Sequence, residues 1–193
     1  MNLPRPLVPS TPSQRSNTME GLNTIKDFIP DYAKDVRLNL DNVIGRSALA
    51  PNEAVGCALA AAFATGNKTL ADLLTDLGAL EPVEVDAAKT AGALMGMTNI
   101  WYHYLDVAGD ADLAGQQAGL RMQAYVSHGG VDERRFELWT LAASIIGRCK
   151  NCIQAHVDSL KKQGASTGDL REVGRIAAVV NAAANVLASE GRR

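Results

Sequence analysis

The chain has 193 residues, of which 47% are hydrophobic, 5% aromatic and 21% charged. These are globular proportions that exclude a wholly disordered chain, and with so few aromatic rings the core must be filled by Ala, Leu, Val and Ile, which suit close-packed helices. Nineteen basic against 21 acidic residues give a net charge of −2, without the basic excess that nucleic-acid binding requires, and no charge-free run of about 18 apolar residues offers a membrane span.

Residues 1–18 read as a disordered, Pro/Ser-rich tail, with Pro4, Pro6, Pro9 and Pro12 set among Ser10, Ser13 and Ser16. Arg5 and Arg15 interrupt the same stretch, so it lacks the apolar run of a signal peptide. Residues 19–193 are read as one domain. From Leu22 the signals are helical: Ile25, Phe28, Ile29, Tyr32 and Val36 recur at spacings of three and four, with Pro30 dividing a short first turn from a helix beginning at Asp31. A helix over 52–65 stops at Gly66-Asn67, and a short amphipathic piece covers 69–80. Pro82 opens a helix running to Met95, and a further helix crosses Ile100, Trp101, Tyr104 and Leu105. Helices over 131–146 and 149–163 form a second pair, and an alanine-rich helix from Asp169 to about Ala188 closes the chain. Its Ala177, Ala178, Ala182, Ala183 and Ala184 suit burial against neighbouring copies. Long alternating β-branched runs are absent, so the fold class is all-α. A shift of 52 residues lays Met97-Thr98-Asn99-Ile100 on Cys149-Lys150-Asn151-Cys152, which suggests an internal two-fold helical repeat.

The chemistry concentrates in 136–156. Cys149, Cys152 and His156 stand at i, i+3 and i+7, on one face of a helix starting near Cys149. Glu137 lies twelve residues before Cys149. If the two helices pack antiparallel through a turn at Gly147-Arg148, Glu137 approaches that face across the interface. Two thiols at i and i+3 can close a disulfide with little backbone movement. A helix N-terminus favours the thiolate and draws a thiol's pKa from about 8.5 towards 7. His156, one turn beyond Cys152, can take or return its proton, and Glu137 can orient the imidazole.

Three cysteines are too few for a disulfide-stapled secreted scaffold, so the simplest location is the reducing cytoplasm, where a CxxC is redox-active or metal-binding. Ile153 after Cys152 excludes c-type haem attachment, and no βαβ pattern points to a thioredoxin fold. A zinc-stabilised helical binding module without turnover is the alternative, with Cys149, Cys152, His156 and Glu137 as ligands, though no second cysteine pair accompanies them. A decarboxylase-like enzyme in which the cysteines are incidental is a third reading. Cys57 reads as a small core residue.

The pattern Glu137-x11-Cys149-x2-Cys152-x3-His156 resembles the active-site signature of the alkylhydroperoxidase AhpD family, within the carboxymuconolactone decarboxylase-like superfamily. Pro30-Asp31-Tyr32-Ala33-Lys34-Asp35, Met95-Gly96-Met97-Thr98-Asn99, Gly119-Leu120-Arg121-Met122 and Phe136-Glu137-Leu138-Trp139 extend the likeness over about residues 19–190. The resemblance implies an all-helical homotrimer with no bound cofactor. It implies an antioxidant dithiol that reduces a peroxiredoxin, AhpC, and is re-reduced by the lipoyl group of a dihydrolipoamide acyltransferase, with weak direct activity on alkyl hydroperoxides. Carried over, Cys152 forms the sulfenic acid or mixed disulfide, Cys149 is its resolving partner and proton donor, and Glu137 and His156 belong to the proton relay. Family members often carry a histidine immediately before the second cysteine. Here that position is Asn151, which can hydrogen-bond but cannot titrate near neutral pH.

Overall fold

The computed structural model describes residues 12–127 and 130–192, and every regular element in them is helical. The principal helices are α1 (Pro12–Asp27), α2 (Lys34–Leu40), α3 (Pro51–Thr65), α4 (Lys68–Thr75) and α5 (Pro82–Ala108), followed by the single turns α6 (Ala111–Ala114) and α7 (Gln123–Val126), and then α8 (Glu133–Ile146), α9 (Lys150–Lys162) and α10 (Thr167–Ser189). A 3-10 turn at Asp31–Ala33 and a π turn at Asp41–Gly45 flank α2.

Local chemistry sets the helix starts. Proline occupies the first turn of α3 and of α5, where its missing N–H costs nothing. In both helices a glutamate three residues in reaches back: Glu53 accepts the Ala50 N–H at 3.1 Å and Glu84 accepts the Glu81 N–H at 2.9 Å. Asp132 caps α8 by accepting from Arg135 N–H, and Ser166 caps α10 by accepting from Asp169 N–H.

These capped ends lie together. Arg134, in the first turn of α8, donates to Glu53 of α3 at 3.1 Å and to Asp169 of α10 at 3.2 Å. Its neighbour Arg135 pairs with Glu84 of α5 and with Asp132. Asn52 of α3 also donates to Glu84 at 3.0 Å. The N-terminal turns of α3, α5, α8 and α10 therefore meet at one end, and the four helices run parallel. At the far end Asn67, just past α3, donates to the Ala184 carbonyl of α10 at 3.0 Å. Between the ends α3 is buried almost all round, from Glu53 to Ala62. Gly56 permits the closest approach, since a Cβ there would lie 2.2 Å from the ring of fully buried Trp139, whose indole N–H donates to the Glu53 carbonyl at 3.2 Å.

Four expectations change. α5 is one continuous helix through Gly96, because Ala91, Leu94, Met95, Thr98 and Asn99 on both sides of the expected break are buried. The 52-residue shift therefore matches the middle of α5 to the N-cap and first turn of α9, so the matched residues are helical but stand at different places in their helices. Among the alanines of α10, Ala177, Ala183 and Ala184 are buried within the chain and are not offered to a neighbour, while Ala182 is half-buried and Ala178 is exposed. At the N-terminus, α1 begins at Pro12, inside the segment expected as tail, and Thr18 is buried; residues 1–11 of that segment lie outside the described residues. Cys57 is fully buried on α3, as expected of a core residue.

Partial burial pushes the Asp169 carboxyl up, but the Ser166 N–H, the Arg134 guanidinium and the Ser166 hydroxyl outweigh it and hold it below the ordinary 3.8. A depressed carboxylate contributes stability above its unfolded value and loses it as pH falls through the folded one. Asp169→Asn should therefore lower unfolding free energy by about 0.5 kcal/mol at pH 7, solvent screening of this partly exposed pair included, and by less at pH 2, measured by urea denaturation at both pH values.

Candidate functional site

Helices α8 and α9 pack against each other through a turn at Gly147-Arg148, as the spacing predicts. The turn is tight for two reasons. Arg148 adopts the left-handed region, with φ of 54°. Gly147 lies against Asn99 of α5, where an added Cβ would stand 2.0 Å from the amide nitrogen. Asn99 in turn donates to the Ala143 carbonyl at 3.2 Å, which ties the end of α8 to the middle of α5.

The turn delivers Cys149 as the N-cap of α9, and the Cys152 N–H donates to the Cys149 sulfur at 3.2 Å. Cys149 and Cys152 form a disulfide with Cα atoms 5.3 Å apart. Cys149 is fully buried, while Cys152 is 6% exposed and opens onto a cavity of about 390 Å³. That cavity is walled by Met95 and Tyr102 of α5, by Met122 and Tyr125 of the 109–132 connection, and by His156. Among the described residues that wall it, His156 is the only His, Asp, Glu, Lys or Arg. Asn151 is exposed at its edge.

Glu137 meets His156 across the α8–α9 interface, with Oε2 2.8 Å from Nδ1, and both side chains are buried. Thr140, one turn along α8, fixes the tautomer. Its hydroxyl donates to the Glu137 carbonyl at 2.9 Å, so the lone pair it presents to His156 Nδ1 at 3.3 Å can only accept. Nδ1 therefore carries hydrogen, shared between Thr140 and Glu137, and Nε2 is left to exchange a proton. Nε2 lies 3.3 Å from the Met95 sulfur. That sulfur accepts a hydrogen bond only weakly, and the contact is attractive when Nε2 is protonated.

The structure thus brings together Cys149, Cys152, His156 and Glu137. Sequence reasoning missed Thr140 and Met95, which complete the surroundings of the imidazole, and Tyr102, Met122 and Tyr125, which shape the cavity. Met95 and Met122 lie in stretches that carry the family resemblance, but the resemblance assigns them no role at the site, and Tyr125 falls in the single turn α7. Among the described residues no group of three or more His, Cys, Asp or Glu side chains is placed to hold a metal ion. Burial pushes the Cys57 thiol well above its usual range, and nearby Glu53 adds to the shift, so this thiol is kept protonated in the core.

A helical scaffold that places a buried dithiol at a helix start, with a carboxylate-held histidine one turn away, defines a class of small thiol proteins. Comparison with known proteins narrows it. The carboxymuconolactone decarboxylase family model matches residues 111–190. The protein called alkyl hydroperoxide reductase AhpD in Rhodospirillum centenum is 41% identical over 171 residues, covering 88% of this chain and 91% of that protein. Proteins of the same name from Hyphomonas neptunium and Coxiella burnetii are 40% and 39% identical, and 94% and 99% of their lengths are covered. The chain belongs to the AhpD-like alkylhydroperoxidase family.

Cys152 borders the cavity, Cys149 is buried at the start of α9 beside it, and Cys57 is buried in the core on α3. Once the disulfide is reduced, an alkylating reagent under native conditions should label Cys152 first, Cys149 more slowly, and Cys57 only after unfolding. Timed alkylation with peptide mapping checks this order, and early labelling of Cys57 would contradict it.

Proposed function

We propose that the chain is an antioxidant thiol oxidoreductase that cycles the Cys149–Cys152 pair between dithiol and disulfide in the reducing cytoplasm. The observation that carries this reading is the Glu137–His156 hydrogen bond of 2.8 Å, one helical turn from Cys152 and beside a cavity that reaches its sulfur. The name of the relatives, alkyl hydroperoxide reductase AhpD, supports peroxide as the ultimate oxidant.

In the reductive half, a thiolate of a dihydrolipoyl arm attacks the disulfide, a mixed disulfide forms, and the arm's second thiol releases the protein dithiol. The lipoyl group belongs to a partner, a dihydrolipoamide acyltransferase, and no cofactor is resident. In the oxidative half, the Cys152 thiolate attacks the disulfide of a peroxiredoxin of the AhpC type, and Cys149 resolves the mixed disulfide. Direct reduction of an alkyl hydroperoxide is the minor route. The Cys152 sulfur takes the distal oxygen, the alcohol leaves, and Cys149 displaces water from the sulfenic acid to restore the disulfide. His156 Nε2 moves the proton in both routes, while Glu137 and Thr140 hold Nδ1. The α9 N-terminus stabilises negative charge on Cys149 when that sulfur is the leaving group.

Assembly as a homotrimer fits the outer face of α5, where Ile100, Tyr104 and Val107 form one stripe at helical spacing and are 70%, 50% and 71% exposed. That stripe, rather than α10, is the apolar surface offered to neighbouring copies.

The test is hydroperoxide reduction reconstituted with a purified peroxiredoxin, lipoamide and a lipoamide-reducing enzyme. Cys152→Ser should abolish turnover. His156→Phe and Glu137→Gln should each slow it by roughly 10²-fold, within the usual range for a general acid–base group. Asn151→Ala, at the exposed edge of the cavity, should cost far less. A loss at Asn151 equal to that at His156 would route the proton through the wrong residue for this reading.

A further inference from the structure

Met95 is a thioether placed where a peroxide would bind, and the dithiol chemistry does not use it. Its sulfur lies 3.3 Å from His156 Nε2 and 3.6 Å from the Thr98 hydroxyl, and the side chain forms part of the wall facing Cys152. The Thr98 carbonyl approaches the Cys152 sulfur at 3.9 Å, so both sulfur centres border the same end of the cavity. Thioethers take oxygen from hydroperoxides, and a proton donor beside the departing oxygen speeds that transfer. Here the donor and the acceptor sulfur are adjacent, within the span of one peroxide group.

We propose that Met95 is an oxidisable switch in the site, converted to the sulfoxide by an alkyl hydroperoxide when the Cys149–Cys152 pair stands as the disulfide. The inference rests on the peroxide-linked function proposed above. The distal peroxide oxygen forms a bond to Sδ and the O–O bond breaks. Sulfur loses two electrons and the peroxide is reduced to its alcohol. His156 Nε2 takes the hydroperoxide proton as the distal oxygen passes to Sδ and hands it to the departing alkoxide, so no net proton is consumed. In the disulfide state neither active-site sulfur is a thiolate, and Cys57 is buried with its thiol held protonated, so the sulfur nucleophiles left on the cavity wall are the thioethers of Met95 and Met122, of which Met95 is the one in contact with His156 Nε2.

The product changes the site. A thioether is a weak hydrogen-bond acceptor, while a sulfoxide oxygen is a strong one. Placed against Nε2, that oxygen holds the imidazole proton and denies it to Cys152. Turnover then stops when peroxide arrives faster than reductant can reopen the disulfide.

The experiment exposes the full-length disulfide form to cumene hydroperoxide and maps sulfoxide by mass spectrometry over time. Met97, on the same helix and less buried, serves as the internal reference. Met95 should be oxidised at least about 10-fold faster than Met97, the scale of modest general-acid assistance. Peroxiredoxin-linked activity should fall in step with Met95 sulfoxide, and Met95→Leu should keep its own untreated rate through the same exposure. Met95 oxidised no faster than Met97, or activity lost while Met95 is intact, overturns the proposal. The mapping needs no turnover: a protein that turns over but spares Met95 fails only this inference. One that oxidises Met95 yet never supports peroxiredoxin turnover bears out the oxygen transfer and fails the functional reading.

Discussion

Parallel packing of α3, α5, α8 and α10 sets four positive helix ends side by side, and the carboxylates and arginines gathered there make that arrangement stable. Glu53, Glu84, Asp132 and Asp169 bring negative charge to the helix starts, where the dipoles favour it. Arg134 and Arg135 then link those carboxylates to one another through α8. Removing either arginine would strand partly buried carboxylates, which costs more than the pair itself contributes. Since both arginines lie in the first turn of α8, the ion pairs fix where that helix begins and how it is rotated. Glu137 and Thr140, within the next turn and a half, are thereby turned toward α9.

The opposite end of α8 is fixed by different means. Asn99 holds the Ala143 carbonyl and fills the space beside Gly147, so the chain can turn only where Arg148 accepts a left-handed backbone. Such a conformation costs of order 1 kcal/mol for a residue with a Cβ. It starts α9 at Cys149 and carries His156 back to Glu137 after two turns. The two ends of α8 thus set the two halves of the site: the carboxylate and hydroxyl that hold Nδ1, and the cysteines that use Nε2. Burial of Glu137, His156 and Cys149 keeps water from competing for these hydrogen bonds.

Much of this was legible in the sequence because the determinants are local. Apolar spacing of three and four marked the helices, Pro82 and Gly66-Asn67 marked ends, and the i, i+3, i+7 placement of Cys149, Cys152 and His156 needs only a helix. The approach of Glu137 required one further assumption, a tight turn at Gly147-Arg148, and that turn forms. What escaped depends on tertiary contacts. The apolar spacing suggested two helices, one ending at Met95 and one crossing Ile100 to Leu105, yet residues buried on both sides of Gly96 keep α5 intact. The alanines of α10 suggested an external surface, but small residues are equally what parallel helices need to approach within a core. Met95, Thr140 and Tyr125 reach the site from a core face, from the helix already assigned to Glu137, and from an irregular connection. Met95 opens one of the stretches that carry the family likeness, yet neither that stretch nor the residues beside Thr140 and Tyr125 mark a role at the site.

At the centre stands the claim that Glu137 acts only through His156, as the group that holds Nδ1 while Nε2 moves the proton of Cys152. The direct measurement is peroxiredoxin-linked turnover of the double variant Glu137→Gln/His156→Phe beside the wild type and each single variant. If the two residues are one unit, the double variant is about as slow as His156→Phe alone, because the carboxylate has no imidazole left to hold. If the two losses multiply, Glu137 serves the dithiol by a route of its own and the relay drawn here is wrong.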